Sequence, residues 1–401
     1  MPTSSTAQAP ALPHAGSGLQ ILIMAVAAFI IVTTEFLIVG LLPALARDMN
    51  ISVALAGQVV TLFAFTVMLF GPFLTARLAH LDRKKLFIGI LLVFAASNAL
   101  AALSTNIWVL ALARFIPALG LPVFWGTASE TAGQLAGPGN EGKGVSKVYL
   151  GISAALVFGV PLGTLAADTV GWRGSFWILV ALSLLIAALL QLCMPTLPAS
   201  PVKAAGEKQT AILKEPRFLA HVLLSILAFT AMFTAYTYLA DILERLAHVP
   251  AGQVGWWLMG FGAVGMIGNQ IGGRLVDRTP LGAMVLFLLV LAAGMLATVP
   301  LAENRVGLVL ALIAWGVAYT ALFPICQVRV MQAGAKAQAL AATMNISAAN
   351  AGIGLGAIFG GIGIGHFGLQ SLGVIASAIA AVGVVLAVLM MRRRQAPGVS
   401  A

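Results

Sequence analysis

Long apolar runs, broken by short charged or Pro/Gly-rich stretches, dominate this chain. They fall at about 20–43, 55–76, 86–103, 107–130, 145–167, 174–194, 218–242, 252–273, 281–300, 306–328, 338–365 and 369–391. Each is close to the roughly 20 residues that a helix needs to cross hydrocarbon, and all are too long for barrel strands. Backbone groups in a bilayer must be satisfied within their own segment, so the pattern predicts an all-α membrane protein with twelve transmembrane helices. The composition agrees: of 401 residues 60% are hydrophobic and 8% are charged, against roughly 25% charged in soluble proteins. That excludes an ordinary soluble enzyme. Cys193 and Cys326 both lie in apolar runs, so neither a disulfide framework nor a metal centre is expected.

The polar positions between the runs set the orientation. With the N-terminus cytoplasmic, 17 Lys and Arg fall on the cytoplasmic side and 4 on the other (Arg47, Arg173, Arg245 and Arg305), while Arg114 falls inside a span. Basic residues near span ends accumulate on the cytoplasmic side, so the split predicts a multi-pass protein of the cell (inner) membrane with both termini cytoplasmic. The net charge of +10 then records topology, and no nucleic-acid partner is expected. Residues 1–19, rich in Ala, Pro and Ser, read as a disordered cytoplasmic tail; they lack the basic start of a signal peptide. Residues 20–194 form one six-helix bundle, 195–217 a proline-containing cytoplasmic linker, 218–391 a second bundle and 392–401 a basic tail.

Each half carries a related signal between its second and third spans. Asp82-Arg83-Lys84-Lys85 follows Gly71-Pro72 and Arg77 in the first half, and Gly273-Arg274-Leu275-Val276-Asp277-Arg278 stands in the second. An acid beside basic residues at a helix end can form a reversible contact, and recurrence suggests a parallel six-helix repeat. Further stretches are Thr33-Thr34-Glu35-Phe36 with Gly40-Leu41-Leu42-Pro43, Arg114-Phe115 with Phe124-Trp125-Gly126, and Gly159-Val160-Pro161-Leu162-Gly163-Thr164 running on to Gly171-Trp172-Arg173. Through these the chain resembles the major facilitator superfamily, in particular its drug and sugar efflux branch of proton antiporters. The resemblance covers Thr33 to Arg394. It implies two pseudo-symmetric bundles around a central cavity, a small-molecule substrate (sugar, nucleoside or drug), protons as the coupling ion and action as a monomer. It identifies Gly159, Pro161 and Gly163 with the antiporter motif, and Gly273, Asp277 and Arg278 with the loop latch at the cytoplasmic gate. The first-half copy departs from the pattern: Thr75 and Ala79 occupy its Gly and Asp positions, and Asp82 is displaced by three residues.

Charges inside hydrocarbon cost about 2.5 to 3.5 kcal/mol each on insertion scales, so those that remain are functional candidates. Glu35 and Arg114 lie about 11 to 12 Å below the outer boundary of spans one and four at 1.5 Å per residue. The resemblance makes those spans neighbours, so the two can meet. A buried carboxyl beside a guanidinium is poised between protonated and ionised forms, which makes the pair the candidate proton-coupling site; a static pair joining two helices is the other reading. Phe124, Trp125, Tyr236, Tyr238, Asn345 and Asn350 lie on spans expected to border the cavity and are substrate-binding candidates. Gly352, Gly356, Gly360 and Gly361 suit permanent close packing, whereas Gly151, Gly159 and Gly163 suit either static packing or a rocking contact between halves. Asp168, Asp241 and Glu244 read as solvated helix ends.

No cofactor is expected. Gly137 to Lys143 has P-loop spacing, but Gly144 replaces the required Ser or Thr and no strand precedes it. The five histidines are scattered singly, which argues against a membrane-embedded enzyme. A carrier driven by the proton gradient is the main expectation, with a passive facilitator or receptor as the alternative.

Overall fold

The computed structural model describes residues 17–78, 80–137, 141–195 and 211–395. The two tails, most of the linker, Ala79 and residues 138–140 of the P-loop-like run therefore lie wholly or partly outside the described residues. The first half comprises α1 (Ser17–Asp48), α2 (Val53–Leu78), α3 (Arg83–Ala102), α4 (Ile107–Ala136), α5 (141–170) and α6 (172–193). The second comprises α7 (Pro216–Tyr236), followed by a short helix Leu239–Arg245, then α8 (Ala251–Arg278), α9 (Pro280–Thr298), α10 (Arg305–Ala333), α11 (Gln338–Phe367) and α12 (Leu372–Gln395).

Ten stretches among the described residues are long and apolar enough to cross a membrane. One of them, Gly144–Cys193, contains both α5 and α6, and α8 is not among the ten. The break between α5 and α6 is Gly171, at φ 72° and ψ 162°, a conformation that costs glycine no Cβ clash. Ser175 Oγ reaches back to donate to the Gly163 carbonyl at 2.7 Å, although 12 residues separate them along the chain. A straight helix would hold them about 18 Å apart, so the chain turns back on itself here.

Helix ends run further than the apolar runs suggest. Pro43 lies inside α1, which continues to Asp48, because one lost backbone bond is tolerated in a helix that is packed on all sides. Asn106 caps α4 by accepting from the amides of Trp108 and Val109, and Asn304 caps α10 in the same way through Val306 and Gly307. Before Pro161, which has no N–H, α5 takes one π-helical turn over Ala155–Gly159.

The same pairings recur in both halves: α1 with α5 as α7 with α11, α2 with α4 as α8 with α10, and α3 with α4 as α9 with α10. Between the halves, α2 packs on α11 and α5 on α8. We call the side holding Arg83, Lys84 and Arg278 the basic face, and the side of Arg47 and Arg173 the opposite face. Contacts between halves concentrate toward the opposite face. Gln58 Nε2 donates to the Ala357 carbonyl at 3.4 Å, Thr61 Oγ1 to the Gly354 carbonyl at 3.2 Å, and Arg47 pairs with Glu244 at 2.6 Å.

Candidate functional site

Arg114, on α4, is 1% exposed and crosses to α1. Its Nη1 donates to the Thr34 carbonyl at 2.5 Å and its Nη2 to the Glu35 carbonyl at 2.6 Å. Its guanidinium lies 4.5 Å from the centre of the Phe63 ring of α2, a cation–π contact. Asn98 of α3 donates to Thr34 Oγ1 at 3.1 Å, so three helices converge on the same turn of α1. The two sequence candidates are thus brought together, but through the backbone of Glu35. Its carboxyl forms no ion pair among the described residues. It is half-buried, within electrostatic reach of Arg114 and of the Tyr319 hydroxyl on the other half.

The second half holds a counterpart that the sequence does not announce. By position Arg329 of α10 belongs with the cytoplasmic loop signals, whereas the structure buries it completely. Its Nη1 meets His221 Nδ1 at 2.9 Å and its Nη2 donates to Ser225 Oγ at 2.8 Å, both on α7. Since a guanidinium can only donate, His221 Nδ1 must accept here, which places that ring's proton on Nε2. The signal available in the sequence is the i, i+4 placement of His221 and Ser225 on one face of an apolar helix.

Across the midline from Glu35 lies a cluster of rings. Phe36 of α1 approaches Phe233 of α7 at 6.0 Å between centroids. Tyr236 lies 4.5 Å from Tyr319 and stacks on Phe261 of α8 at 5.7 Å, and Phe261 meets Trp315 edge-on at 5.5 Å. Of these rings only Tyr236 is among the candidates from sequence.

The other candidates take varied places. Phe124 is wholly buried against Phe87 of α3, which leaves it no surface for a solute in this conformation. Trp125 is partly exposed and lies 5.3 Å from Tyr149 of α5. Tyr238 fills the space above Gly57 and Gly360 and donates to the Ala357 carbonyl at 2.8 Å, which makes it part of the opposite-face closure. Asn345 donates to Gln327 at 2.7 Å and Asn350 to the Ile346 carbonyl at 3.1 Å. Each Asn keeps a buried Oδ1 with no partner among the described residues.

The motif glycines are now placed. A Cβ at Gly159 would strike Thr33 Oγ1, and one at Gly163 would strike Leu37, so both serve the α1–α5 seam within the first half. Where α5 meets the other half, the close approach is made by glycines on α8: Gly255 lies against Pro161 and Leu165, and Gly262 against Leu156. Gly352, Gly356 and Gly360 pack on α7, while Gly361 turns to Gln58 of α2. Asp82 caps α3 by accepting from the Lys85 amide at 3.0 Å, and buried Arg83 pairs with Glu130 of α4 at 2.8 Å. Asp277 and Arg278 are exposed at the end of α8 with no ion pair among the described residues, and a Cβ at Gly273 would meet open space. On the opposite face, Asp241 is buried beside Arg245 and Glu244 bridges the halves, so neither is the solvated helix end that its sequence position suggests.

The Major Facilitator Superfamily model matches residues 24–345. Inner membrane transport protein YdhP of Escherichia coli (strain K12) is 33% identical over 379 residues, 94% of this chain and 96% of that protein. The uncharacterized MFS-type transporter YtbD of Bacillus subtilis (strain 168) is 32% identical over 353 residues, covering 87% and 89%. Among solved structures, a bacterial homolog of the human lysosomal transporter Spinster, inward-facing and unoccupied, superposes with a TM-score of 0.82 at 15% identity, covering 96% of this chain and 99% of that one. Nucleoside transporter NupG gives 0.70 at 19% identity over 95% and 99%. At those identities the two structures speak for the fold alone, but the model match and the full-length relatives go further: this chain is a multi-pass membrane transporter and belongs to the Major Facilitator Superfamily.

Proposed function

We propose that the chain exports a small polar or amphipathic solute in exchange for protons, by alternating access of a cavity between its halves. The observation that carries this reading is the state of Glu35. It is a carboxyl at membrane depth on the midline, while its neighbouring arginine is committed to backbone carbonyls. A carboxyl that no bidentate guanidinium locks can take up and release a proton as water access alternates. Arg114 pins the α1 backbone and supplies a fixed positive field beside the carboxyl. The exchange direction rests on the likeness of Gly159 to Thr164 to the antiporter motif. The exposed Asp277 and Arg278, with half-buried Gly273 on the same helix and with Asp82 and Arg83 at the start of α3, form the basic-face gate. The energy source is the proton gradient, the working unit is the monomer, and both termini lie at the cytoplasmic face of the inner membrane.

Everted vesicles supplied with labelled sugars, nucleosides and amphipathic drugs test this. The wild type should accumulate at least one solute in a manner that an uncoupler abolishes. Glu35→Gln should lower that accumulation at least about tenfold, equivalent to about 1.4 kcal/mol on the barrier. Uptake at the wild-type rate by Glu35→Gln, still against a pH-dependent gradient, would remove Glu35 from the proton path. Wild-type uptake that ignores the uncoupler would identify a passive facilitator.

A further inference from the structure

The seam between α8 and α10 changes character along its length. Toward the basic face it is shut, because Gly265, Gly268 and Gly272 let α8 lie directly on Thr320, Val317 and Ala321 of α10. Toward the opposite face the two helices part around a groove of about 330 Å³, walled by Trp256, Trp257 and Gly260 of α8 and by Val309 and Ile313 of α10, with buried Phe261 as its floor. Trp256 is 61% exposed and Val309 42%, and a Cβ at Gly260 would meet open space, so the groove opens outward to the hydrocarbon.

The lining is apolar, but the outer end is not. Arg305 opens α10 and is exposed, and Val309 and Ile313 follow it at i+4 and i+8, so the three share one face of the helix. On α8, exposed Gln253 precedes Trp257 by one turn. Arg305 forms no ion pair among the described residues. The nearest acids lie off this face: Glu303 precedes the Asn304 cap of α10, and Asp168 of α5 sits against Gly252, on the side of α8 turned to the other half. From Arg305 to Ile313 the helix descends about 12 Å, close to one leaflet's share of a hydrocarbon core about 30 Å thick. Trp256 and Trp257 stand near its upper boundary, where amphipathic rings gather.

We propose that the α8/α10 groove is a binding site for an anionic phospholipid of the opposite-face leaflet, phosphatidylglycerol, with one acyl chain laid along Gly260 and Phe261 and the phosphate held at Arg305. The depth and apolar lining suit a single chain, and the closed seam at Gly265 stops it. Arg305 sets the headgroup, because the mouth carries a cation with no acid on the same face. A headgroup that bears its own ammonium would bring a second cation to that mouth; phosphatidylglycerol brings none. A chain seated there braces α8 from the side away from α5, against which Gly255 and Gly262 pack.

The full chain in neutral detergent micelles is titrated with phosphatidylglycerol and with phosphatidylcholine of the same acyl chains, and the lipid retained is read by native mass spectrometry. One phosphatidylglycerol should be held saturably, about fivefold tighter than phosphatidylcholine. Arg305→Gln should weaken phosphatidylglycerol about fivefold and remove the preference, while Arg305→Lys keeps most of it. Neither variant should move the unfolding midpoint measured without lipid, since Arg305 is exposed. Gly260→Phe and Val309→Trp, which fill the groove from its two walls, should each weaken both lipids at least about tenfold. Absence of a saturable site, equal affinity for the two lipids, or a preference that survives Arg305→Gln would overturn the headgroup assignment. Binding unchanged in both groove variants, or losses that merely follow a falling lipid-free midpoint, would overturn the groove as the seat of the chain.

Discussion

Arg114 and Arg329 each reach from the fourth helix of their half to the first, yet they are satisfied in different ways. Arg114 donates to two carbonyls that already belong to the α1 helix, and its flat face lies on Phe63. Arg329 donates to two neutral side chains, His221 and Ser225. The depths differ too: Arg114 is near the start of α4, toward the opposite face, and Arg329 near the end of α10, toward the basic face. In the first half a cation is placed beside a carboxyl without being tied to it, an arrangement suited to a group that changes protonation. In the second half the cation clasps α7 to α10 with neutral partners, an arrangement suited to holding two helices together. A repeated fold has thus placed one residue type at one seam in two different surroundings.

The comparison can be broken most severely at Arg114. Arg114→Met should lower stability in mixed micelles by about 3 kcal/mol, the scale for removing one partner from a buried charge arrangement. Adding Glu35→Gln should recover a good part of that loss, and chemical unfolding of the four proteins of the cycle measures the coupling. Strict additivity would mean that the two residues act independently and would erase the contrast drawn with Arg329.

A smaller effect separates the glycine seams. In the first half a Cβ at Gly163 meets the flexible end of Leu37, whereas in the second a Cβ at Gly356 meets backbone atoms of Thr230 and Phe233 at 2.8 and 2.9 Å. Gly356→Ala should therefore cost about 2 kcal/mol by overpacking, and Gly163→Ala less than half of that. Unfolding midpoints of the two variants check the order, and equal losses would show that the seams are equally rigid. Smallest is Ser225→Ala, which removes one acceptor from Arg329 and should cost about 1 kcal/mol with solute accumulation unchanged. A loss of coupled accumulation by this variant would give Arg329 a share in the transport cycle.

The spans and their order are legible because the hydrocarbon demands long apolar runs, and Glu35 and Arg114 stand out because they interrupt such runs well inside their ends. Arg329 does not stand out. It sits between Val328 and Val330 just where the apolar run ends, so its burial follows from the extension of α10 to Ala333 and from the polar pair waiting on α7. The ring cluster is hidden for another reason. In a helix that is apolar all round, an aromatic residue carries no sign of the face it occupies, so Phe124 and Trp125 look alike although one is core and the other partly exposed. Tyr319 and Phe261 acquire meaning only when α7, α8 and α10 are brought side by side. Gly159 and Gly163 are recognisable as close-packing positions, but which neighbour they admit, α1 and not α8, is a property of the assembled bundle.

α11 carries glycine on two sides at once: Gly352, Gly356 and Gly360 against α7, and Gly354 and Gly361 against Phe65 and Gln58 of α2. Interdigitated side chains would have to be withdrawn, like meshed gear teeth, before such a seam could part. Here one surface lies directly on the backbone of α7, and the other takes Phe65 and Gln58 of α2 into the places that its own missing side chains leave. Under alternating access the α2 side is the one expected to slide, since Gln58 and Thr61 reach across it only to backbone carbonyls of α11.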